Sequence, residues 1–324
     1  MRFLRTITGA LLLFLPVVAC TLAPVTTPTP TTPASMPSGG LDFAPDPGFR
    51  VTGCSVPEVS VTETGRFYLY CSDGPRQMFA VSEDGLDFQV LDGPSEETQR
   101  NDPRKLLLPD GTWRKYIWNS EAGALLSERS TDGLHFEREE GERYRLDESD
   151  NGTMGVRTLF VTRAGGVVLL YVGDMGGVNN VRRACSPPGD NGANFTFQDG
   201  NPLGDADAGG GQNSYVDPYA LVLPDGRVRV FTMWQGPGAV PPQGIKGDIY
   251  SFVTDDGVTF TPEPGPLLQP GDFTAYQVYS LNDPKVVLLP DGRYRMYVAA
   301  MTDDGQGGHR WVIVSATAAQ DGGG

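Results

Sequence analysis

From residue 41 onward apolar and polar residues alternate in short runs, and nowhere does the apolar spacing of a long helix appear. The runs come in pairs joined by a glycine-containing turn. In "NDPKVVLLPDGRYRMY", from Asn282, each pair predicts a β-hairpin of two strands, A and B. Two stretches repeat it closely, "NDPRKLLLPDGTWRKYIW" from Asn101 and "VDPYALVLPDGRVRVFTMW" from Val216. Two repeat it more loosely, "SVPEVSVTETGRFYLYC" from Ser55 and "VRTLFVTRAGGVVLLYV" from Val156.

A second signature follows four of the five hairpins: "SEDGLDF" from Ser82, "STDGLHF" from Ser130, "TDDGVTF" from Thr254 and a degenerate "CSPPGDNGANF" from Cys185. It reads as a turn between strands C and D, bent at Asp-Gly and locked to a neighbour by the aromatic residue. The fifth hairpin has no such turn after it, because the chain ends at "SATAAQDGGG". The missing half, "GLDF", stands at residues 40 to 43 with no turn before it. Joining the two predicts an all-β, five-bladed β-propeller closed by pairing of the N-terminal strand with the last blade. Residues 41–324 then supply roughly 57 residues per four-stranded blade.

The chain begins differently. Arg2 and Arg5 precede a short apolar run ending Val17, Val18, Ala19, Cys20, which predicts a signal peptide over residues 1–20 with a lipobox-like end and lipidation of Cys20. Residues 21–40 are rich in Pro and Thr and predict a solvated tether, leaving 41–324 as the propeller. The expectation is a lipoprotein of the cell envelope, facing the periplasm or cell exterior and held at the membrane by its lipid. A net charge of −15 argues against a nucleic-acid partner.

In that oxidising setting Cys54 and Cys71, which bracket one hairpin, are expected to form a disulfide, with Cys185 as a small buried apolar residue. No C-x-x-C spacing occurs and His135 and His309 stand apart, so no zinc site and no cofactor are expected. The Gly-rich segment "GDADAGGGQNS", residues 204 to 214, reads as a surface loop. A calcium ion in the channel or on that loop is the open alternative.

The repeats separate two kinds of aspartate. In "LPDG", Pro sets the first turn residue, Asp accepts local backbone bonds and Gly takes a positive φ, so Asp110, Asp225 and Asp291 are turn residues on the lower face. Asp102, Asp217 and Asp283 instead begin strand A at the mouth of the channel, and counting along the repeats puts Val56 and Arg157 in the same slot of the two divergent units. Carboxylates converging on one axis perturb one another's protonation, which acid–base chemistry on a sugar requires. A structural role fits equally: an Asp before Pro can tie one blade to the next by accepting backbone N–H bonds. The loops between strands B and C share the upper face and add Trp118, Glu121, Asp174 and Trp234, the tryptophans as platforms for sugar rings or as packing residues.

Together the Asp-Pro strand starts, the S-x-D-G-x-x-F turns and the five-fold count resemble the five-bladed propeller glycosidases, the clan of arabinanases, xylosidases and invertases, of family-43 type. The resemblance covers essentially all of residues 41–324. It implies an Asp base, an orienting Asp and a Glu acid at strand-A starts of three successive blades. Asp217 and Asp283 match two, but the third slot reads "VPE", with Glu58 displaced two positions; Glu121 and Asp102 are rival acids. What the resemblance implies is hydrolysis of O-glycosyl bonds by a monomer through Asp283, Asp217, Asp102, Glu121 or Glu58, with Arg157, Trp118, Trp234 and Asp174 binding carbohydrate. The alternative is a non-catalytic propeller that binds a glycan or an envelope protein.

Overall fold

A computed structural model describes residues 41–74, 76–150, 152, 154–174, 178–204, 214–235 and 247–318. The predicted signal peptide, Cys20 and tether lie outside these residues, as does most of the Gly-rich segment at 204 to 214. Five antiparallel sheets follow one another along the chain, each ordered A-B-C-D: blade one Ser55–Leu91, blade two Lys105–Arg145, blade three Arg157–Gln198, blade four Ser214–Pro262 and blade five Val278–Ala318. The fourth strand of blade five is Phe43–Pro45, with Phe43 opposite Ala318 and Pro45 opposite Ala316. The ring therefore closes as the split repeat predicts.

A recurring trio of side chains fastens the outer strands. In blade two, Arg114 and Ser127 donate to Glu139, each at 2.6 Å; in blade four, Arg229 and Ser251 donate to Glu263 at 2.7 and 2.8 Å. In blade five the acid is Asp46, supplied by the N-terminal segment: Ser315 donates to it at 2.7 Å, Thr317 at 2.9 Å, and Arg295 lies 3.5 Å away. The closing strand thus carries the side-chain chemistry of an ordinary strand D.

Both turn families behave as their composition requires. At the A–B turns the N–H groups of Thr112, Arg227 and Arg293 donate to Asp110, Asp225 and Asp291, and each following glycine has φ above +80°. At the C–D turns Gly85, Gly133 and Gly257 donate to Ser82, Ser130 and Thr254. Those turns dock on the adjoining blade, Phe88 edge-on to Tyr297 and Phe195 edge-on to Tyr116. Gly85 cannot be replaced without displacing Tyr297 and Arg295, since a Cβ there would lie 2.6 Å from the tyrosine oxygen.

Cys54 and Cys71 are joined across the first hairpin, both buried, and Cys185 is buried in blade three. The bridge closes a loop of 17 residues, so chain entropy assigns it about 3 kcal/mol. Cys54→Ala/Cys71→Ala is expected to lower the unfolding free energy obtained from urea titration by about that amount; an unchanged free energy would mean that the unfolded chain is not what the bridge constrains.

Candidate active site

Strand A of three blades carries the same irregularity. The ladder skips between Ser55 and Glu58, Val216 and Tyr219, and Asn282 and Lys285, leaving an X-Pro pair unmatched each time. Val56, Asp217 and Asp283 there adopt φ of +51°, +52° and +51°, a left-handed conformation costing on the order of 1–3 kcal/mol in a residue that is not glycine. The proline that follows lacks an N–H, which suits a position without a ladder partner. Asp-Pro and Val-Pro are therefore one bulge motif.

The ladder also fixes the count. At its start Val156 accepts the N–H of Val172, as Val216 pairs with Met233, and Arg157 opposes Tyr171, where Asp217 and Pro218 together face Thr232. Arg157 alone therefore stands where Val56 and Pro57, Asp217 and Pro218, and Asp283 and Pro284 bulge, so blade three has one residue fewer there. Blade three thus lacks the bulge, and Arg157 takes the place of the whole X-Pro pair, the aspartate slot included.

Asp217 and Asp283 are brought together. Asp217 accepts the backbone N–H of Asp283, and Asp283 accepts that of Val56, so the carboxylates do tie blade four to blade five and blade five to blade one. Their protonation is nevertheless far from ordinary. Burial pushes Asp217 up to about 6 against the pull of the Asp283 N–H and of Lys285. Burial, with the negative charge of Asp217 added, holds Asp283 well above the carboxylate range.

Asp102 has the opposite environment. It is 4% exposed, and burial disfavours its charge, but Arg104 grips both its oxygens at 2.8 and 2.9 Å and Lys115 stands 3.1 Å away, leaving its pKa below the usual range. A carboxylate so held is a poor proton donor.

A cavity of about 420 Å³ occupies the channel, and all five blades contribute to its wall: Glu58, Arg104, Arg157, Tyr219 and Lys285. Tyr70 and Ser72 of blade one and Tyr116 of blade two also contribute to its lining. Lys285 pairs with Glu58 at 3.0 Å and lies over the Tyr219 ring, 4.7 Å from its centre. Asp217 and Asp283 do not line this cavity; each stands two residues up strand A from a side chain that does, Tyr219 and Lys285 respectively.

The upper-loop candidates are placed elsewhere. Glu121 is exposed on a turn of blade two, Trp118 packs against the core between blades two and three, and Trp234 meets Tyr250 edge-on at 6.1 Å. Asp174 ends strand B of blade three opposite Asn179. None of the four lines the cavity. Among the described residues no group of three or more His, Cys, Asp or Glu side chains is placed to hold a metal. Arg104, Tyr219 and Lys285 were missed as site residues, although their signal was present: they and Glu58 stand two places after the slot in four of the five repeats.

No protein-family profile and no curated protein matches this sequence. Solved structures do match its backbone. A thermostable family-43 glycoside hydrolase superposes with a TM-score of 0.58 at 15% identity, covering 83% of this chain and 91% of that one. The catalytic domain of a family-62 α-L-arabinofuranosidase from Coprinopsis cinerea gives 0.57 at 10% identity, covering 86% and 97%. An endo-1,4-β-xylanase from Bacteroides thetaiotaomicron gives 0.56 at 13% identity, covering 85% and 92%. This chain has the five-bladed propeller fold of those hydrolases. At such identity the likeness is one of architecture, and what this propeller does must be argued from its own side chains.

Proposed function

We propose that this propeller is a carbohydrate-active protein of glycoside-hydrolase type, acting on O-glycosyl bonds at the channel mouth. The observation that carries the reading is the contrast between carboxyl groups: Asp217 and Asp283 bind protons tightly, while Glu58, whose charge reaches Asp283, is ion-paired with Lys285. Glycoside hydrolysis needs one carboxyl that gives a proton to the leaving oxygen and one carboxylate that activates water. Asp217, partly exposed and poised near neutrality, is the candidate acid; Glu58 is the candidate base; Asp283, 7% exposed, positions Asp217 through its N–H. The resemblance would have made the aspartate the base and the glutamate the acid, and the electrostatics favour the reverse.

Purified protein offered aryl glycosides and polysaccharides is expected to release sugar, with activity falling as pH rises through about 6, where Asp217 loses its proton. Activity that instead climbs through that pH would rule Asp217 out as the acid. Glu58→Gln is expected to lower kcat about 10²- to 10⁴-fold.

A second reading, a propeller that binds a glycan without cleaving it, draws support from Val56 in the third slot and from the backbone N–H bonds that engage both aspartates. It predicts saturable binding with no sugar released, and binding that survives Asp217→Asn. We also place the propeller at the cell envelope, on the strength of the Val17 to Cys20 ending and the Pro/Thr-rich segment after it. Cys20→Ala is expected to move the protein from the membrane fraction to the soluble one; an unchanged distribution would refute lipid anchoring.

A further inference from the structure

The channel cavity is cationic in a strongly acidic protein. The chain carries −15 overall, yet Arg104, Lys105, Arg157 and Lys285 line the cavity with only Glu58 to oppose them. Three of the four cations are engaged. Arg104 holds Asp102 through two hydrogen bonds, Lys285 pairs with Glu58, and Lys105 donates to the carbonyls of Arg100 and Gly133 at 2.6 and 2.7 Å with the Trp113 ring beneath it.

Arg157 differs. Its one protein hydrogen bond is a 3.5 Å contact to the Tyr116 carbonyl, and it has no ion pair among the described residues. Burial lowers its affinity for the proton, with the charge of Glu58 as partial compensation. The residue also breaks the repeat, placing a guanidinium where three other blades have the bulged X-Pro pair. Arg157 is only half-buried and lines the cavity without an ion-pair partner, so an incoming anion meets a guanidinium that no carboxylate of the described residues already grips. Its planar fork of donors matches a carboxylate in two-point contact. About 420 Å³ is within the range that holds a small ligand.

We propose that the cavity takes a saccharide bearing a carboxylate, a uronic acid unit, with its carboxylate on Arg157. This rests on the carbohydrate reading above and narrows it to an acidic sugar. The test is calorimetric titration of the full chain with glucuronate, galacturonate and their short oligomers, against glucose, galactose and xylose oligomers, with sodium sulfate as the anion control. Uronates are expected to bind more tightly than the matching neutral sugars, and the preference to weaken with added salt. Arg157→Gln should collapse the uronate-to-neutral affinity ratio by about tenfold or more, and Arg157→Lys by less, since it keeps the charge and loses the fork.

Neutral sugars bound or cleaved while uronates are ignored would overturn this inference and leave the carbohydrate reading standing. Silence toward every saccharide would overturn both. Sulfate competing as well as the uronates would reduce the site to a general anion site, and a ratio unmoved by Arg157→Gln would remove Arg157 from it.

Discussion

Asp217→Asn is expected to make the protein more stable at neutral and alkaline pH while cutting turnover about 10²- to 10⁴-fold. The direction follows from linkage. The folded-state pKa of Asp217 is raised to about 6 from the ordinary 3.8, so the folded chain binds this proton more tightly than the unfolded chain does. Stability from this group is therefore full at acid pH, below the unfolded value, and is lost as pH rises toward and through about 6. Above that, ionised Asp217 burdens the fold, and a shift of this size corresponds to roughly 1–3 kcal/mol. Asparagine removes the charge and keeps an oxygen to accept the Asp283 N–H, so the tie to blade five survives. The expected pattern is a Tm above wild type at pH 8 and a gap that shrinks toward pH 4. A Tm below wild type at pH 8 would show that Asp217 is a structural acceptor whose charge the fold needs.

Opening the ring at its seam is expected to have the largest effect on stability. Phe43 is 5% exposed, belongs to the largest apolar cluster and meets Phe231 edge-on at 6.5 Å, so Phe43→Ala should cost about 3–5 kcal/mol. Asp46→Ala strikes the same seam by other means, leaving Arg295, 7% exposed, without its carboxylate and Ser315 and Thr317 without an acceptor. A chain beginning at residue 47 loses both, and strand C of blade five, His309–Ala318, becomes an open edge over the Phe43 pairing site. Urea unfolding of the three variants checks this: each should show a lower midpoint, and the truncated chain a broadened transition or aggregation. A truncated chain within about 1 kcal/mol of wild type would mean that the seam does not hold the propeller shut.

What could be read without coordinates was whatever repeats or is local. The hairpins follow from residue alternation and from Asp-Gly turns whose hydrogen bonds involve only near neighbours, as at Asp110 and Thr112. The closure followed from a half-repeat at each end, and the Cys54–Cys71 bridge from two cysteines on one hairpin. The same local logic separated Asp291, in a turn, from Asp283, at a strand start. It did not reveal that blade three lacks the bulge, so that Arg157 alone stands opposite Tyr171.

Which groups meet across the ring was decided by the tertiary structure. Asp102 and Asp283 stand in the same sequence context, Asn-Asp-Pro, yet Arg104 and Lys115 hold the first ionised while Asp217 and burial drive the second toward its protonated form. Glu58 gained significance only when Lys285, more than two hundred residues away in the chain, closed on it at 3.0 Å. Turn and strand preferences act between near neighbours and are written in sequence order. Protonation depends on burial and on charges within a few ångströms, and in a closed ring those neighbours come from other blades, so only the assembled propeller sets which carboxyl keeps its proton.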